Sequence, residues 1–372
     1  MSGALEGLVI ADFGRVLAGP YATMLLADLG AEVVKIERPE VGDDTRHWGP
    51  PWVGDESTYF LGVNRNKKSV TLDLTSPHDL AAARDLVSRA DVVVENFMPG
   101  TLERLGLGYD AAKDLNPGLV YCSITGFGGH NDLAGYDLLI QAVGGLMSIT
   151  GPDSDTPTKV GVAVVDVITG LHAALGILAA LRHRDRTGEG QRVEVNLLSS
   201  LLSALTNQSS GYVAAGSIPQ AMGNRHPSIA PYEVFQTGDR PLALAVGNDR
   251  QFASLCNVLG NAHLAADVRF ATNSARVANR ADLVVELSGA LTENTADGWF
   301  KLLSAERVPC GPLNDIADAI SLAERLGLDP TVEINDSRRP SPVRQVANPI
   351  RLSRTPPTYR TAPPRLGEDN LV

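Results

Sequence analysis

The sequence predicts an α/β protein with a large domain built on a doubly wound parallel sheet and a smaller α+β domain. Short β-branched runs alternate with helix-period segments, and these runs occupy residues 8–13, 32–37, 69–74, 91–96, 119–124 and 191–196. They contain few polar positions, as strands do in a parallel sheet that is covered on both faces. Around residues 216–231 the composition changes to Gly, Pro, Ser and Asn, which is typical of a domain boundary.

The individual elements fit this architecture. Helix-period segments at 21–29, 79–89 and 101–105 lie between the first strands, and a longer one begins at Val167 and ends before Gly188. Beyond the boundary, the runs 232–236 and 242–246 flank a turn and predict a hairpin, and helices follow to about residue 324. The predicted divisions are a large Rossmann-like domain, a linker and a small domain, at 1–200 with 325–372, 201–222 and 223–324 respectively.

The segment 337–366 is rich in Pro and Arg and leaves two alternatives open. By composition it could be a disordered basic tail. Its interspersed apolar residues, among them Val343 and Ile350, equally favour a segment packed along the large domain.

Composition excludes several classes of function. The formal net charge of −11 argues against nucleic-acid binding through a global basic field. The three cysteines are widely spaced, so we expect small buried side chains and a reducing compartment. No apolar run reaches the ~18 residues of a membrane span, and the first residues lack the pattern of a signal peptide. We therefore expect a cytoplasmic protein without a membrane partner.

Basic residues follow the predicted strands at the edge where open α/β sheets bind ligands. They are Arg15, Arg38, Arg46 and Arg104, with Lys67 and Lys68 just before the third strand. The planar guanidinium group suits a phosphate-bearing ligand. The alternative is that each arginine is a solvated surface residue.

Asp166 is the one carboxylate in an otherwise apolar stretch at 161–170, where the long helix begins. An acid at this place often caps the helix, and it could also be a nucleophile. The sequence has no Walker A motif, no Gly-x-Gly-x-x-Gly after the first strand and no His or Cys cluster, so we expect no metal site. Ser199 and Ser200 lack the context of a hydrolase nucleophile, and we expect His172 to be a packed structural residue.

Nearly end to end, the chain resembles the family III CoA-transferases, the formyl-CoA and carnitine CoA-transferase group. The resemblance is carried by the stretches 17–20, 29–39, 42–46, 64–68, 94–97, 136–137, 161–166 and 187–191. The stretches 42–51, 56–59, 226–232 and 245–252 are most similar to the succinate–hydroxymethylglutarate branch of that family.

The resemblance implies an interlocked homodimer of two-domain chains. It also implies that the substrate is coenzyme A in the form of an acyl-CoA. It places the catalytic aspartate on Asp166. It places CoA-binding positions on Val16, Leu17, Arg38, Leu72, Asp73, Leu74, Thr75, Asn96, Phe97, Met98, Arg104 and Tyr136. Most of these are the strand-end positions identified above.

The implied activity moves CoA from an acyl-CoA such as succinyl-CoA to a carboxylic acid through an aspartyl-CoA thioester on Asp166. A helix N-terminus beneath Asp166 would help to keep it ionised. Formyl-CoA transferases have Gln at the position of Leu17 and a glycine run in place of 223–231. Because of these departures, we do not expect the formate or oxalate specificity of those enzymes in this chain. Arg225 or His226 is the predicted site for the distal carboxylate of a dicarboxylic acid.

Two other functions are compatible with the same fold. An α-methylacyl-CoA racemase needs a histidine before its aspartate, and this chain has Tyr136 before Asp137. A tyrosine is a poor base near neutral pH, which favours the transferase. A non-catalytic CoA-binding protein is the second alternative, and the presence of Asp166 argues against it.

Overall fold

The computed structural model describes residues 3–131 and 133–370, and it divides into two compact units. The large unit comprises Met1–Leu146, Lys159–Ile218 and Gly327–Val372, and the small unit comprises Met147–Thr158 and Pro219–Leu326. These divisions differ from the predicted ones in two places. The short stretch before the long helix belongs to the small unit, and the predicted linker is largely helical.

A six-stranded parallel sheet forms the centre of the large unit. Its strands are β1 (Val9–Asp12), β2 (Glu32–Glu37), β5 (Lys67–Thr71), β6 (Val92–Glu95), β7 (Val120–Thr125) and β8 (Arg192–Asn196). The order is β5-β2-β1-β6-β7-β8, with every pair parallel. In chain order this is 3-2-1-4-5-6, the doubly wound Rossmann arrangement. The predicted fold class is confirmed.

Both faces of the sheet are buried, because alternate side chains of each strand point to opposite sides. On one face Ile10 and Val33 pack in a core with Ala173 and Ile177. On the other face Ala11 and its neighbours pack with the helix Pro77–Arg89, which follows β5. The continuous apolar runs in the sequence follow from this double burial.

The other elements of the large unit connect these strands or lie over them. The helices are α1 (Ala18–Asp28), α2 (Thr58–Val63), α3 (Pro77–Arg89), α4 (Thr101–Arg104), α5 (Tyr109–Leu115), α6 (Asp137–Val143), α8 (Val164–Thr187), α9 (Leu197–Ala204) and α10 (Thr206–Ala215). The helix α7 (Leu146–Ile149) spans the boundary between the units, and a 3₁₀ turn covers Asp44–His47. Two short antiparallel ribbons complete the unit, β3 (Trp52–Val53) with β4 (Glu56–Ser57) and β12 (Thr331–Ile334) with β13 (Val343–Val346).

Helix α8 is the long helix predicted after Val167, and it packs closely on α1. A methyl group added at Gly170 would lie 2.7 Å from the carbonyl oxygen of Ala18, so the two backbones meet where a side chain would not fit. Within the described residues α8 is the one helix long and apolar enough to cross a membrane. Its Ala173 and Ile177 are fully buried in the large unit, as expected for the core helix of a globular domain.

Two lysines lie inside this unit with their charges paired. Lys67 Nζ is 3.1 Å from Asp12 Oδ2, and Lys35 Nζ is 2.8 Å from Asp43 Oδ2, with all four side chains fully buried. Such pairs are costly to break, since removal of one member leaves a buried charge uncompensated. The prediction that Lys67 belongs to the basic residues at the ligand-binding edge of the sheet is therefore wrong. Its neighbour Lys68 is exposed and pairs with Glu32.

The Pro- and Arg-rich C-terminal segment packs on the large unit, which settles the two alternatives left by its composition. The buried Asp28 accepts hydrogen bonds from Arg65 and from Asn348 of this segment. Farther on, Asp369 and Asn370 accept hydrogen bonds from the backbone of β5 at the sheet edge. The segment thus covers an edge strand that would otherwise expose unpaired backbone groups.

The small unit contains a three-stranded antiparallel sheet with helices. Its strands are β9 (Tyr232–Phe235), β10 (Leu242–Ala245) and β11 (Cys310–Pro312), in the order β11-β10-β9. The predicted hairpin is confirmed as β9 and β10. The helices are α11 (Asp249–Val258), α12 (Asn273–Ala278), α13 (Arg280–Leu291), α14 (Ala296–Ala305) and α15 (Ile316–Arg325), with a 3₁₀ turn at Ala262–Ala265. Phe235, Leu255 and Leu287 belong to its separate core.

Candidate active site

Asp166 lies in the first turn of α8, at the wall of a cleft of about 440 Å³ in the large unit. The cleft collects residues from turns that follow four strands of the parallel sheet. Its lining includes Arg15, Val16, Leu17, Asp44, Asn96, Phe97, Met98, Thr125, Gly126, Tyr136 and Asp166. The structure therefore brings six predicted CoA-binding positions to the same cleft as the predicted catalytic aspartate.

The carboxylate that caps α8 is Asp137, and the interpretation of Asp166 as the cap is wrong. Asp137 Oδ1 accepts hydrogen bonds from the backbone N–H of Val165 at 2.8 Å and of Asp166 at 3.4 Å. Its other oxygen accepts from Gln141 Nε2 at 2.6 Å. With these donors taken by Asp137, the Asp166 side chain does not satisfy the helix end and is available for chemistry.

Burial of the carboxyl group, together with the charge of Asp137, raises the pKa of Asp166 to about 7. Both causes act in the same direction, because each disfavours the ionised form. The expectation that the helix N-terminus keeps Asp166 ionised fails, since burial and then the negative charge of Asp137 both disfavour the ionised form. Within the described residues no hydrogen-bond donor reaches the Asp166 carboxylate. The cleft thus holds a basic, poorly solvated carboxylate.

Tyr59 is a neighbour of Asp166 that the sequence did not identify as a site residue. Burial, followed by the charges of Asp166 and Asp137, raises the pKa of Tyr59 to about 12. Its ring packs edge-on against Trp48, with the centroids 5.4 Å apart, and belongs to an apolar cluster with Leu17 and Val167. The stretch 56–59 supported the family resemblance, but nothing in it signalled proximity to the long helix.

The turn after β1 has an unusual backbone conformation at Val16, whose φ is +67°. A β-branched residue pays a penalty there, on the order of 1–3 kcal/mol, unless its surroundings hold it. The buried Asp43 accepts the Val16 N–H at 3.2 Å and is itself paired with Lys35. The charged pair beneath the turn therefore fixes the backbone that presents Val16 and Leu17 to the cleft.

Asn96, a predicted CoA-binding residue, uses its side-chain amide to hold the same turn. Its Oδ1 accepts the N–H of Arg15, and its Nδ2 donates to the carbonyl oxygen of Arg15, both at 2.8 Å. Phe97 and Met98 lie beside it in the cleft. The side chain of Asn96 thus positions Arg15, a residue that the predicted CoA-binding set did not include.

A second cavity of about 500 Å³ lies at the same edge of the sheet and contains the remaining predicted positions except Arg104. Its lining includes Arg38, Leu72, Asp73, Leu74 and Thr75, and it shares Arg15 and Phe97 with the Asp166 cleft. Asp44 forms ion pairs with both Arg15 and Arg38, the latter at 2.9 Å. The two cavities are thus neighbours, and Asp166 lines only the first of them.

Two of the arginines predicted at the ligand-binding edge of the sheet, Arg46 and Arg104, line neither cavity. Arg104 is exposed, donates a hydrogen bond to Thr101, and lines neither cavity. Arg46 turns inward, where it donates two hydrogen bonds to the buried Glu37 and stacks over the Phe60 ring. The interpretation of Arg46 as a ligand-binding residue is wrong, because its charge is already paired.

The predicted acceptor residues belong to the small unit. Arg225 lines a cavity of about 830 Å³ with Gly151, Thr158 and Glu233. Its Nε donates to the Met222 carbonyl oxygen at 2.9 Å. His226 does not line this cavity; its Nδ1 accepts the N–H of Ser228 and its ring packs on Tyr232. Of the two candidates, the structure leaves Arg225 better exposed to a ligand.

In the part of the chain that the structure describes, no group of three or more His, Cys, Asp or Glu side chains could hold a metal ion. His172 contacts Ser200 at 3.1 Å, the structural role predicted for it.

Comparison with known proteins gives the family. The model of CoA-transferase family III matches residues 5–370. A succinate–glutarate CoA-transferase of Agrobacterium fabrum is 44% identical, with 98% of this chain and 93% of that protein covered. An acetyl-CoA:oxalate CoA-transferase of Acetobacter aceti is 40% identical, with 100% and 95% covered. The crystal structure of a CAIB/BAIF family protein from Brucella suis superposes with a TM-score of 0.88 at 41% identity, covering 99% of this chain and 97% of that chain.

Proposed function

The chain belongs to CoA-transferase family III, and from that premise we propose that it moves CoA from succinyl-CoA to a dicarboxylic acid such as glutarate through an aspartyl-CoA thioester on Asp166. The glutarate relative supports the dicarboxylate acceptor. The oxalate relative has a similar identity, so the acceptor has to be argued from the site.

The observation that carries the proposal is the state of the Asp166 carboxylate. It lies in the cleft with the predicted CoA-binding turn, it has no hydrogen-bond donor among the described residues, and its pKa is raised to about 7. A carboxylate of raised pKa is more basic and a better nucleophile once ionised. A purely structural acid at a helix start would be hydrogen-bonded, as Asp137 is.

The proposed reaction proceeds in four balanced steps. The Asp166 carboxylate attacks the thioester carbonyl carbon of succinyl-CoA, the C–S bond breaks, and a mixed anhydride and CoA thiolate form. The thiolate attacks the aspartyl carbonyl of that anhydride, which releases succinate and leaves an aspartyl-CoA thioester. The acceptor carboxylate attacks this thioester and expels the thiolate, and the thiolate finally attacks the acceptor acyl carbon. The product acyl-CoA leaves, and Asp166 is again a carboxylate.

Water exclusion is the main demand of such a sequence, since both anhydride and thioester hydrolyse. The apolar side chains of Leu17, Tyr59 and Val167 cluster beside Asp166 and keep that side of the carboxylate dry. The Asp137 carboxylate accepts the N–H of Val165 and holds the helix start in place. These contacts support a covalent route over direct attack by the acceptor.

Arg225 is our candidate for binding the distal carboxylate of the acceptor. It lines a cavity of the small unit, whereas the ring of His226 is engaged with Tyr232. A guanidinium group pairs with a carboxylate through two parallel hydrogen bonds, which distinguishes a dicarboxylate from a monocarboxylate.

Paired kinetics test this assignment. Arg225→Ala should lower kcat/KM about 10- to 100-fold for glutarate and less than about threefold for pentanoate, which has the same chain length and one carboxylate. His226→Ala is the matched control and should affect both acids alike. Equal losses of glutarate and pentanoate turnover in Arg225→Ala would contradict the assignment.

The activity itself is tested by incubating the protein with succinyl-CoA and a panel of acids that includes glutarate, oxalate and pentanoate. New CoA esters are followed by mass spectrometry. We expect glutaryl-CoA and succinate in equal amounts, and Asp166→Ala should form neither. An Asp166→Ala variant with full activity would remove the basis of the mechanism.

We further propose that the protein is a cytoplasmic homodimer. The homodimer, though not the location, is supported by a set of exposed apolar side chains on neighbouring elements of the large unit, namely Leu138, Leu139, Val143, Leu171, Leu175, Leu202, Tyr212 and Val213. A monomer rarely leaves so many large apolar groups in water. Size-exclusion chromatography with light scattering would measure the mass, and a monomer at micromolar concentration would contradict the proposal.

A further inference from the structure

Arg15 lies at the junction of the two cavities and is not among the predicted CoA-binding positions. The Asp166 cleft and the cavity of Arg38 and Thr75 share Arg15 and Phe97 as lining residues. A single ligand that reaches from one cavity into the other has to pass these two side chains. Phe97 is apolar, so Arg15 is the charged group at the passage.

Several contacts fix Arg15 in this position. The amide of Asn96 holds its backbone from both sides, at 2.8 Å in each direction. Its guanidinium group forms an ion pair with Asp44, which also pairs with Arg38. Two cations around one anion leave a net positive charge of about one on the three residues at neutral pH.

The Arg15 side chain also keeps an unused donor. Its Nε is buried and has no hydrogen-bond partner among the described residues. Buried N–H groups are nearly always satisfied, and an orphaned one calls for a partner that is absent from the protein itself. The side chain as a whole is 35% exposed, and its guanidinium group carries forked N–H donors of the kind that bind phosphate oxygens.

From these observations we propose that Arg15 binds the diphosphate group of the CoA thioester. The inference rests on the proposed function, which puts the thioester at Asp166. The nucleotide then belongs in the second cavity, which contains Arg38 and the predicted CoA-binding positions 72–75. In any CoA thioester the diphosphate joins the adenosine to the pantetheine arm, so it lies between the two ends of the site. Arg38 lines the second cavity and not the Asp166 cleft, so the 3′-phosphate is the anion left for it.

Three ligands that differ in their phosphates separate this role from others. Arg15→Gln is compared with the wild type on succinyl-CoA, on its 3′-dephospho analogue and on succinyl-pantetheine, which has no phosphate. We expect KM to rise about 10- to 100-fold for both of the first two, with kcat within about threefold. Turnover of succinyl-pantetheine should be unchanged, because that substrate has nothing for Arg15 to bind.

Each other pattern overturns the proposal. Equal losses on all three substrates would mean that Arg15 acts on the fold or on the chemistry. A loss confined to succinyl-CoA would assign Arg15 to the 3′-phosphate. Unchanged KM values would show that Arg15 does not contact the ligand.

Control variants and a binding measurement keep the test independent of the proposed donor. Arg15→Lys should regain part of the affinity, because it restores the charge without the fork. Arg89→Gln, a change of an exposed arginine on α3, should leave every KM unchanged. Calorimetric titration with CoA and 3′-dephospho-CoA should show the same 10- to 100-fold weakening in Arg15→Gln. If succinyl-CoA is not the donor, that titration still decides the role of Arg15.

Discussion

Replacing Asp166 by asparagine should stabilise the protein at pH 8 while abolishing its activity. Burial and the charge of Asp137 raise the pKa of Asp166 from 3.8 to about 7. A difference of about 3 pKa units corresponds to roughly 4 kcal/mol, at about 1.36 kcal/mol per unit. Because the side chain is half-buried and water reaches the cleft, we reduce this figure to about 1–2 kcal/mol.

The sign of the effect follows from the direction of the shift. A carboxyl group with a raised pKa in the folded state favours folding least when it is ionised. The resulting penalty is absent below about pH 4, grows as the pH rises towards 7, and is complete above it. Asparagine keeps the size of the side chain without the charge, so its advantage should be full at pH 8 and less than half as large at pH 5.

Urea denaturation at both pH values, followed by circular dichroism, measures the free energy of unfolding. Asp110→Asn is the matched control, since Asp110 is an exposed acid in the first turn of α5. The Asp110→Asn variant should lose about 0.3–1 kcal/mol of unfolding free energy, because it removes a negative charge that interacts favourably with the dipole of α5. An Asp166→Asn variant that is less stable than the wild type at pH 8, or equally shifted at both pH values, would show that the charge of Asp166 does not destabilise the folded protein.

Other changes have equally definite outcomes. Asp137→Asn removes a negative charge beside Asp166. The acidic limb of the kcat/KM profile, expected near pH 7 in the wild type, should therefore move to lower pH. An unmoved limb would contradict the electrostatic coupling between Asp137 and Asp166. Lys67→Met leaves a buried carboxylate unpaired and should cost about 3–5 kcal/mol in urea denaturation, whereas Lys68→Met, on the exposed side of the same strand, should cost less than about 1 kcal/mol. Leu175→Glu should yield a monomer by light scattering, and Val268→Glu, also on an exposed apolar residue, should not.

The sequence could predict the large sheet because double burial imposes continuous apolar runs, and all six runs became strands. The third strand shows where this reasoning stops. It was predicted at 69–74 and lies at Lys67–Thr71, because a buried ion pair accommodates Lys67 inside the sheet. A lysine in a sequence carries no signal that its charge will be paired with Asp12, a residue 55 positions away.

The candidate site was predictable to the extent that it depends on strand ends. Turns after parallel strands meet at one edge, and Val16, Leu17 and Phe97 accordingly lie beside Asp166. The contribution of Asp137 could not be predicted, since it caps a helix that begins some distance away along the chain. The pKa of Asp166 depends on burial first and on the charge of Asp137 second. The assignment of one acid as the cap and the other as the nucleophile depends on the hydrogen bond from Val165 to Asp137.

The aspartyl-CoA thioester on Asp166 defines the proposed mechanism, and chemical trapping detects it. The protein is incubated with succinyl-CoA, quenched with hydroxylamine or borohydride, digested, and analysed by peptide mass spectrometry. We predict a hydroxamate or a reduced side chain at Asp166 that requires succinyl-CoA and disappears when an acceptor acid discharges the intermediate. An unmodified Asp166 during turnover, or modification at a different carboxylate such as Asp137, would exclude an aspartyl-CoA thioester on Asp166.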